Sequence, residues 1–294
     1  MGKKNLIDHF HQTEWPYAIA TPGEDVSIGK RTLSFLETPM LHWPDSMFTY
    51  IKEDRLLFSS DAFGQHLATS ERFDDEVDQS ILREEMTKYY ANILTLFSPR
   101  VKKLLETVTN LGLQIDMIAP DHGVLWRKDP AFPLTHYDRW ANNRSLAKAL
   151  VIYDTMWGST EKMANAVAMG LDEEKISYTM HNLRHNHISD VMRDVLDASA
   201  IVLGCPTLNN GLLPRMASFI MYMKGLRPAE KIGAAFGSYG WSGESVKMLS
   251  EVMESLDFDL LPAGIRTKYL PEDEDLQQCR ELGRMIGQKV KQGK

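Results

Sequence analysis

Ala149-Leu150-Val151-Ile152-Tyr153-Asp154, followed at once by Thr155-Met156-Trp157-Gly158-Ser159-Thr160, decides the fold of the second half of the chain. An apolar run of strand length breaks into a loop of hydroxyl residues around one glycine. From Glu161 to Leu171, the residues Met163, Ala164, Val167, Ala168 and Leu171 then share one helical face. The order is strand, loop, helix. In that order the loop N–H groups and the positive end of the helix converge on an anion. The loop has no lysine, so it is not the G-x-x-x-x-G-K-[ST] loop of nucleoside triphosphate sites. It also lacks the G-x-G-x-x-G dinucleotide fingerprint. A phosphate held by neutral donors alone suits a terminal monoester such as that of FMN. The competing account of this loop by itself is an ordinary Ser/Thr helix cap.

Working outward, strands are expected at Ala149–Tyr153, Ser177–His181, Ala200–Gly204, Ile232–Gly237 and near Phe258–Leu261. Helices fall between them, and a last one runs from about Glu272 to Lys291. This alternation predicts an α/β fold with a doubly wound, five-stranded parallel sheet and ligand loops at the strand carboxyl ends. Two further loops sit at such ends: Cys205-Pro206-Thr207-Leu208-Asn209-Asn210-Gly211 and Ser238-Tyr239-Gly240-Trp241-Ser242-Gly243-Glu244. Their small residues let backbone amides approach a flat polar ring edge, and Tyr239 and Trp241 can pack on its face. Either loop alone reads as an ordinary strand–helix turn. Three at successive strand ends read as a flavin site.

The first half has a different grammar. Val26–Ile28 and Thr32–Leu36 flank Gly29-Lys30-Arg31 as a hairpin, and Met47–Ile51 and Leu56–Ser60 flank Glu53-Asp54-Arg55 as a second. A helix is expected from Asp78 to Leu96. Ser98-Pro99 reads as the cap and first-turn proline of another, ending near Leu111-Gly112. A short strand, Ile115–Ala119, ends in Pro120-Asp121-His122-Gly123, and the polar stretch Tyr137–Ser145 reads as a joint. Three metal-capable groups stand in turns or at strand ends: His42, Asp61 and His122. Imidazole with carboxylate suits zinc or non-haem iron, and a carboxylate can bridge two metals. Singly, each is more simply a turn residue or a hydrogen-bonded histidine. His9, His11, His66 and His136 read as surface or packing residues.

The 294 residues leave room for two domains, expected at 1–145 and 146–294. A hydrophobic fraction of 43% and a charged fraction of 25% are those of a soluble globular protein. A net charge of -7 argues against nucleic acid as a partner, which needs a basic face. No apolar run approaches a membrane span, and no secretory signal opens the chain. Two cysteines, Cys205 and Cys279, make no metal pattern or disulfide framework. A cytoplasmic protein is expected.

Residues 148–294 resemble the flavodoxin family. The T-x-x-G-S-T loop matches in Thr155, Gly158, Ser159 and Thr160. The resemblance implies that Thr155, Gly158, Ser159 and Thr160 take the FMN phosphate, with Met156 and Trp157 of the same loop also cofactor-binding, while Pro206–Gly211 and Ser238–Gly243 take the isoalloxazine. The spacing His42-(18 residues)-Asp61-(60 residues)-His122, ahead of a flavodoxin-like unit, resembles the flavodiiron proteins. Leu36–Met47 and Pro206–Gly211 read as text of that family too. The resemblance implies the C-terminal half of a metallo-β-lactamase-like αββα domain before the flavodoxin-like unit. It makes His42 a terminal ligand of one iron, Asp61 a bridging carboxylate and His122 a terminal ligand of the other. The family's H-x-E-x-D-H motif has no match here, so a longer or split protein, or a second chain supplying the other half-domain, is expected to complete the centre. The implied activity is reduction of nitric oxide to nitrous oxide or of dioxygen to water. A rubredoxin or similar donor would supply electrons, and subunits would pair head to tail. The alternative is an FMN electron carrier with a non-catalytic metal domain. A hydrolase on the metallo-β-lactamase pattern has no use for the flavin half.

Overall fold

The computed structural model describes residues 1–21, 23–261 and 264–293. The chain divides into two compact units, Met1–Asn142 and Asn143–Lys294.

The first unit contains α1 (Gly2–Phe10), β1 (Val26–Ser27), β2 (Thr32–Glu37), β3 (Met47–Ile51), β4 (Leu56–Phe58), α2 (Gln79–Tyr89), α3 (Ser98–Asn110), β5 (Met117–Ala119) and α4 (Ala131–Ala141). Both expected hairpins form, and the strands make one sheet in the order β1-β2-β3-β4-β5. All neighbours are antiparallel except β4 and β5, which pair in parallel with Leu57 opposite Ile118. That one parallel step matters for function, because it puts the carboxyl ends of β4 and β5 side by side.

Asp78 caps α2 by accepting from the N–H groups of Ser80 and Ile81. The helix then widens into a π-turn over Tyr90–Leu94 and tightens over Thr95–Phe97 before α3 begins. The expected cap at Ser98 is not one. Its hydroxyl is buried against the Tyr90 hydroxyl at 2.9 Å, and the start of α3 relies on Pro99. The joint between the units falls after Asn142, inside the polar stretch Tyr137–Ser145, but Tyr137 and Trp140 of that stretch are core residues of α4, packed on Tyr90 at centroid distances of 4.9 and 5.0 Å.

The second unit contains β6 (Leu146–Tyr153), α5 (Ser159–Glu173), β7 (Ser177–Asn182), α6 (Ile188–Asp197), β8 (Ala198–Gly204), α7 (Pro214–Leu226), β9 (Ile232–Tyr239), α8 (Ser245–Glu254), β10 (Asp259–Leu260), β11 (Ile265–Lys268) and α9 (Asp273–Gln292). The sheet is parallel throughout, with β7, β6, β8 and β9 in that spatial order. The fifth position is filled by two short strands rather than one. β10 pairs Asp259 with Ile232 and β11 pairs Ile265 with Phe236, so two extra residues separate them along the β9 edge. The expected strand near Phe258–Leu261 is therefore only the first part of that edge.

Strand periodicity divides the core. Leu150 and Ile152 face one layer with Val191, Met192, Phe219, Met223 and Leu249. Ala149, Val151 and Tyr153 face the other with Met163, Val167, Leu171, Leu282 and Ile286. In the second layer α5 and α9 meet at Gly170 and Gly283. A Cβ on Gly283 would stand 2.1 Å from the Val167 carbonyl oxygen, so only glycine permits this approach. The strand order is 2-1-3-4-5, and its switch point lies between β6 and β8.

Candidate functional site

The carboxyl ends of β6, β8 and β9 carry the three loops expected to bind a flavin, and they enclose one cavity of about 420 Å³. Its walls are Thr155, Met156, Trp157 and Ser159 from the first loop, Pro206, Thr207, Leu208 and Asn209 from the second, and Ser238, Tyr239, Gly240 and Trp241 from the third. Gly158, Thr160, Asn210, Gly211, Ser242 and Gly243 belong to the same loops but do not line the cavity, and several have tying roles. The Thr160 hydroxyl meets the Ser238 hydroxyl at 3.2 Å, locking α5 to the end of β9. Ser242 donates to the Asn210 side-chain oxygen at 3.3 Å, joining the second and third loops. Gly243, at φ +92, lies against the Tyr239 ring.

The first loop is closed from within. Thr155 Oγ1 accepts the Gly158 N–H at 3.0 Å, and Gly158 adopts φ 87 at the entry to α5. No side chain caps α5, so the N–H groups of its first turn remain available at the positive end of a 15-residue helix. The indoles of Trp157 and Trp241 are 86% and 83% exposed, an unusual state for the largest aromatic side chain. Two wall residues escaped the sequence reading: Tyr269 and Leu270, which follow β11. The only trace was a short apolar pair after the edge strand, hidden by the split of that strand.

In the first unit, the parallel pairing of β4 and β5 brings Asp61 and His122 together, and the turn after β2 brings His42. His42 Nε2 lies 3.7 Å from Asp61 Oδ2 and His122 Nε2 lies 3.2 Å from Asp61 Oδ1. Each imidazole therefore faces a different oxygen of one nearly buried carboxylate. Two donors bound to one metal at about 2.1 Å stand about 3.0–3.5 Å apart, so both gaps are near the span of a shared ion. Among the described residues, no group of three or more His, Cys, Asp or Glu side chains forms a metal-holding set by itself. Shared between two ions, the Asp61 oxygens would give each one imidazole and one carboxylate oxygen from these residues, leaving room for further ligands.

The loops that carry these groups are firmly held. The His42 turn is fastened by Thr38 N–H to Ser46 O at 2.9 Å and by Met40 N–H to Trp43 O at 2.7 Å, with Leu41 buried beneath. Asp61 follows Ser60, at φ 51, and the main chain beyond it is fixed when Phe63 N–H donates to the Tyr137 hydroxyl at 2.8 Å. His122 is placed by Gln65, whose buried side-chain oxygen accepts the Val124 N–H at 2.8 Å. A Cβ on Gly123 would strike that oxygen at 2.1 Å.

The sequence reading also missed His66 and Tyr89. The His66 ring stands edge-on to both Tyr89 and His122, at 4.8 and 5.4 Å. In sequence His66 reads as a surface or packing histidine, because nothing there tells that β4 and β5 run in parallel. Burial, and then the neighbouring His122, lower its pKa from 6.5. Burial and the Asp61 charge hold the Tyr89 phenol well above its ordinary value. Its buried hydroxyl makes no hydrogen bond of good geometry, although it lies near that carboxylate.

Comparison with known proteins adds a family to this geometry. Residues 151–283 match the flavodoxin family and residues 2–123 the ODP family of β-lactamases. A nitric oxide reductase of Moorella thermoacetica is 46% identical over 287 residues, which are 97% of this chain and 72% of the relative. Among solved structures, rubredoxin oxygen:oxidoreductase of Desulfovibrio gigas superposes with a TM-score of 0.96 at 40% identity, covering 99% of this chain and 73% of that one. The flavodiiron protein of Giardia intestinalis gives 0.94 at 34% identity, covering 99% and 72%. With both family matches on one chain and identity of this order along nearly all of it, the chain is a member of the flavodiiron protein family.

Proposed function

We propose that this chain passes electrons from FMN to a non-haem diiron centre that reduces nitric oxide to nitrous oxide, dioxygen to water, or both. The observation that carries this reading is Asp61, with an imidazole on each of its two oxygens, in the same chain as a flavin-sized cavity. The named activities of the Moorella and Desulfovibrio relatives support it. When bound, FMN supplies one- and two-electron transfer and the irons supply a redox-active Lewis acid for the diatomic.

The chain's own residues divide the remaining work. The loop Thr155–Thr160 holds the flavin phosphate through backbone N–H groups, with the α5 terminus behind it. Pro206–Gly211 and Ser238–Gly243 would hold the ring edge, with Tyr239, Trp157 and Trp241 in the cavity wall available to pack on its faces. His42 and His122 would hold the irons together with Asp61, the carboxylate that both imidazoles face. Tyr89 Oη stands beside Asp61, where burial and the carboxylate's charge favour the protonated phenol. Two irons need more ligands than these three side chains provide. The others come from the complementary part of a metallo-β-lactamase-like domain, on a longer or second polypeptide, and subunits pair head to tail. A rubredoxin-type protein is the electron donor. Among the described residues, no helix is long and apolar enough to cross a membrane.

The test is to measure flavin and iron in the purified protein, assembled with the complementary half-domain, and to follow reoxidation of its reduced flavin by nitric oxide. About one flavin and about two irons per complete site are expected, with reoxidation dependent on iron. Stoichiometric flavin with no iron and no reoxidation would leave an electron carrier in its place. That second reading is favoured by the open coordination shell these residues form alone.

A further inference from the structure

A charged pair lies directly behind the phosphate loop. Asp154 continues β6 by one residue, its N–H donating to the Gly204 carbonyl at 3.0 Å, and its carboxylate is 3% exposed. Asp154 Oδ1 accepts two hydrogen bonds: from the Thr155 N–H at 2.8 Å and from Arg184 Nε at 3.1 Å. Thr155 in turn closes the loop onto Gly158. Arg184 stands in the turn after β7, its N–H held by the Asn182 side-chain oxygen at 3.0 Å, and its side chain is 39% exposed. One line of bonds therefore runs from Arg184 through Asp154 and Thr155 to the first turn of α5.

This placement creates an electrostatic problem. A phosphate monoester carries close to two negative charges at neutral pH. Asp154 sets a buried carboxylate next to the loop that would receive it. Glu161, in the first turn of α5, adds a second acidic group, accepting the Tyr153 hydroxyl at 2.9 Å. At a few ångströms and reduced dielectric, an uncancelled charge of this kind changes anion affinity by about ten-fold. Arg184 is the cation paired with Asp154.

We propose that Arg184 is a positioning residue for the flavin phosphate. By pairing with Asp154 it cancels the carboxylate's repulsion while leaving the Asp154–Thr155 bond that shapes the loop, and so it sets the preference for FMN over riboflavin. The inference rests on the flavin reading above.

The test is a four-protein cycle. The wild type, Arg184→Met, Asp154→Asn and the double variant, each stripped of flavin, are titrated with FMN and with riboflavin, and the quenching of flavin fluorescence is followed. Arg184→Met should weaken FMN by about ten-fold and leave riboflavin within about two-fold, with the FMN deficit growing at low ionic strength. Asp154→Asn keeps the acceptor for Thr155 and frees the guanidinium's charge, so it should bind FMN as tightly as the wild type or tighter. The double variant should return to within about three-fold of the wild type, because neither charge remains. Equal losses of FMN and riboflavin in Arg184→Met, no loss of either, or a double variant no better than Arg184→Met would each overturn the proposal. A wild type that binds neither flavin would overturn the flavin reading itself, and the proposal with it.

Discussion

The two units solve the same problem, presenting donors at strand ends, with different degrees of self-sufficiency. In the second unit every wall of the cavity comes from loops of one sheet whose two faces are both covered, so the site is complete where the sheet is complete. In the first unit the three metal-capable groups also converge, but Asp61 lines an open groove whose rim includes the exposed side chains of Trp43 and Phe58. β2 is at best half-buried along its whole length, and α1 buries no side chain. A doubly wound sheet builds its ligand site locally, by topology. A two-metal site between layers needs both layers, and His42, Asp61 and His122 belong to one.

The sharpest way to break this contrast is at Asp61. Asp61→Ala removes the carboxylate whose two oxygens face the two imidazoles. In the assembled protein it should abolish iron binding and lower nitric oxide turnover by at least about 100-fold, while FMN content stays unchanged. Elemental analysis and flavin absorbance on the same sample check both halves. If flavin is lost together with iron, the two sites are not independent and the contrast fails.

Within the second unit, completeness depends on close helix packing. Gly283→Ala would drive a methyl group into the Val167 carbonyl at the α5–α9 crossing, and overpacking of this kind costs about 1–3 kcal/mol. Gly225, near the end of α7, has open space where a Cβ would go. Gly225→Ala should instead stabilise by about 0.5–1 kcal/mol through helix propensity. Opposite shifts in thermal unfolding from the same substitution would show that packing, not glycine content, governs this unit. Shifts of the same sign would show otherwise.

The cavity can be probed at its two ends. Trp241 is expected at the ring and not at the phosphate, so Trp241→Ala should weaken FMN and riboflavin alike, each by about three- to ten-fold. Unequal effects on the two ligands, measured by fluorescence titration, would move Trp241 away from the ring.

The sequence made the second unit legible because its signals are local. Each strand is apolar along its length, each is followed by its own loop, and the parallel alternation fixes which loops share an edge. Three loops were therefore assembled correctly without any long-range information. What escaped was the edge: β10 and β11 are too short to show periodicity, so Tyr269 and Leu270 gave no sign of facing the cavity. In the first unit, His42, Asp61 and His122 could be named, but their neighbours could not. Gln65, His66 and Tyr89 join the site only because β4 and β5 pair in parallel across a connection of more than fifty residues. Likewise Tyr137 and Trp140 looked like linker because a Tyr and a Trp among Asn, Arg and Asp do not reveal that α4 packs on the π-turn.

The units also differ in how they should respond to alkali. Both cysteines, Cys205 and Cys279, lie in the second unit with no exposed surface, and burial pushes each thiol up to about 12 from an ordinary value near 9. A raised pKa means that the fold favours the protonated thiol. This contribution is fully present below about pH 9 and is lost as pH climbs toward 12, at up to about 1.4 kcal/mol per pH unit for each thiol. The first unit has no cysteine; its raised groups are the buried phenols of Tyr89, Tyr90 and Tyr137, whose ordinary value near 10 sets the start of its alkaline loss about one pH unit higher. Cys279→Ala should cost some packing at pH 8, a cost that does not depend on pH, and it should remove one thiol's share of the alkaline loss. The stability gap between wild type and variant, read by urea unfolding with bound flavin as the reporter of the second unit, should therefore narrow by roughly 1 kcal/mol between pH 9 and 10. A gap that stays constant over that range would mean that the thiol titrates in the fold as it does in the unfolded chain, and that α9 is far less tightly seated on α5 than the glycine contact implies.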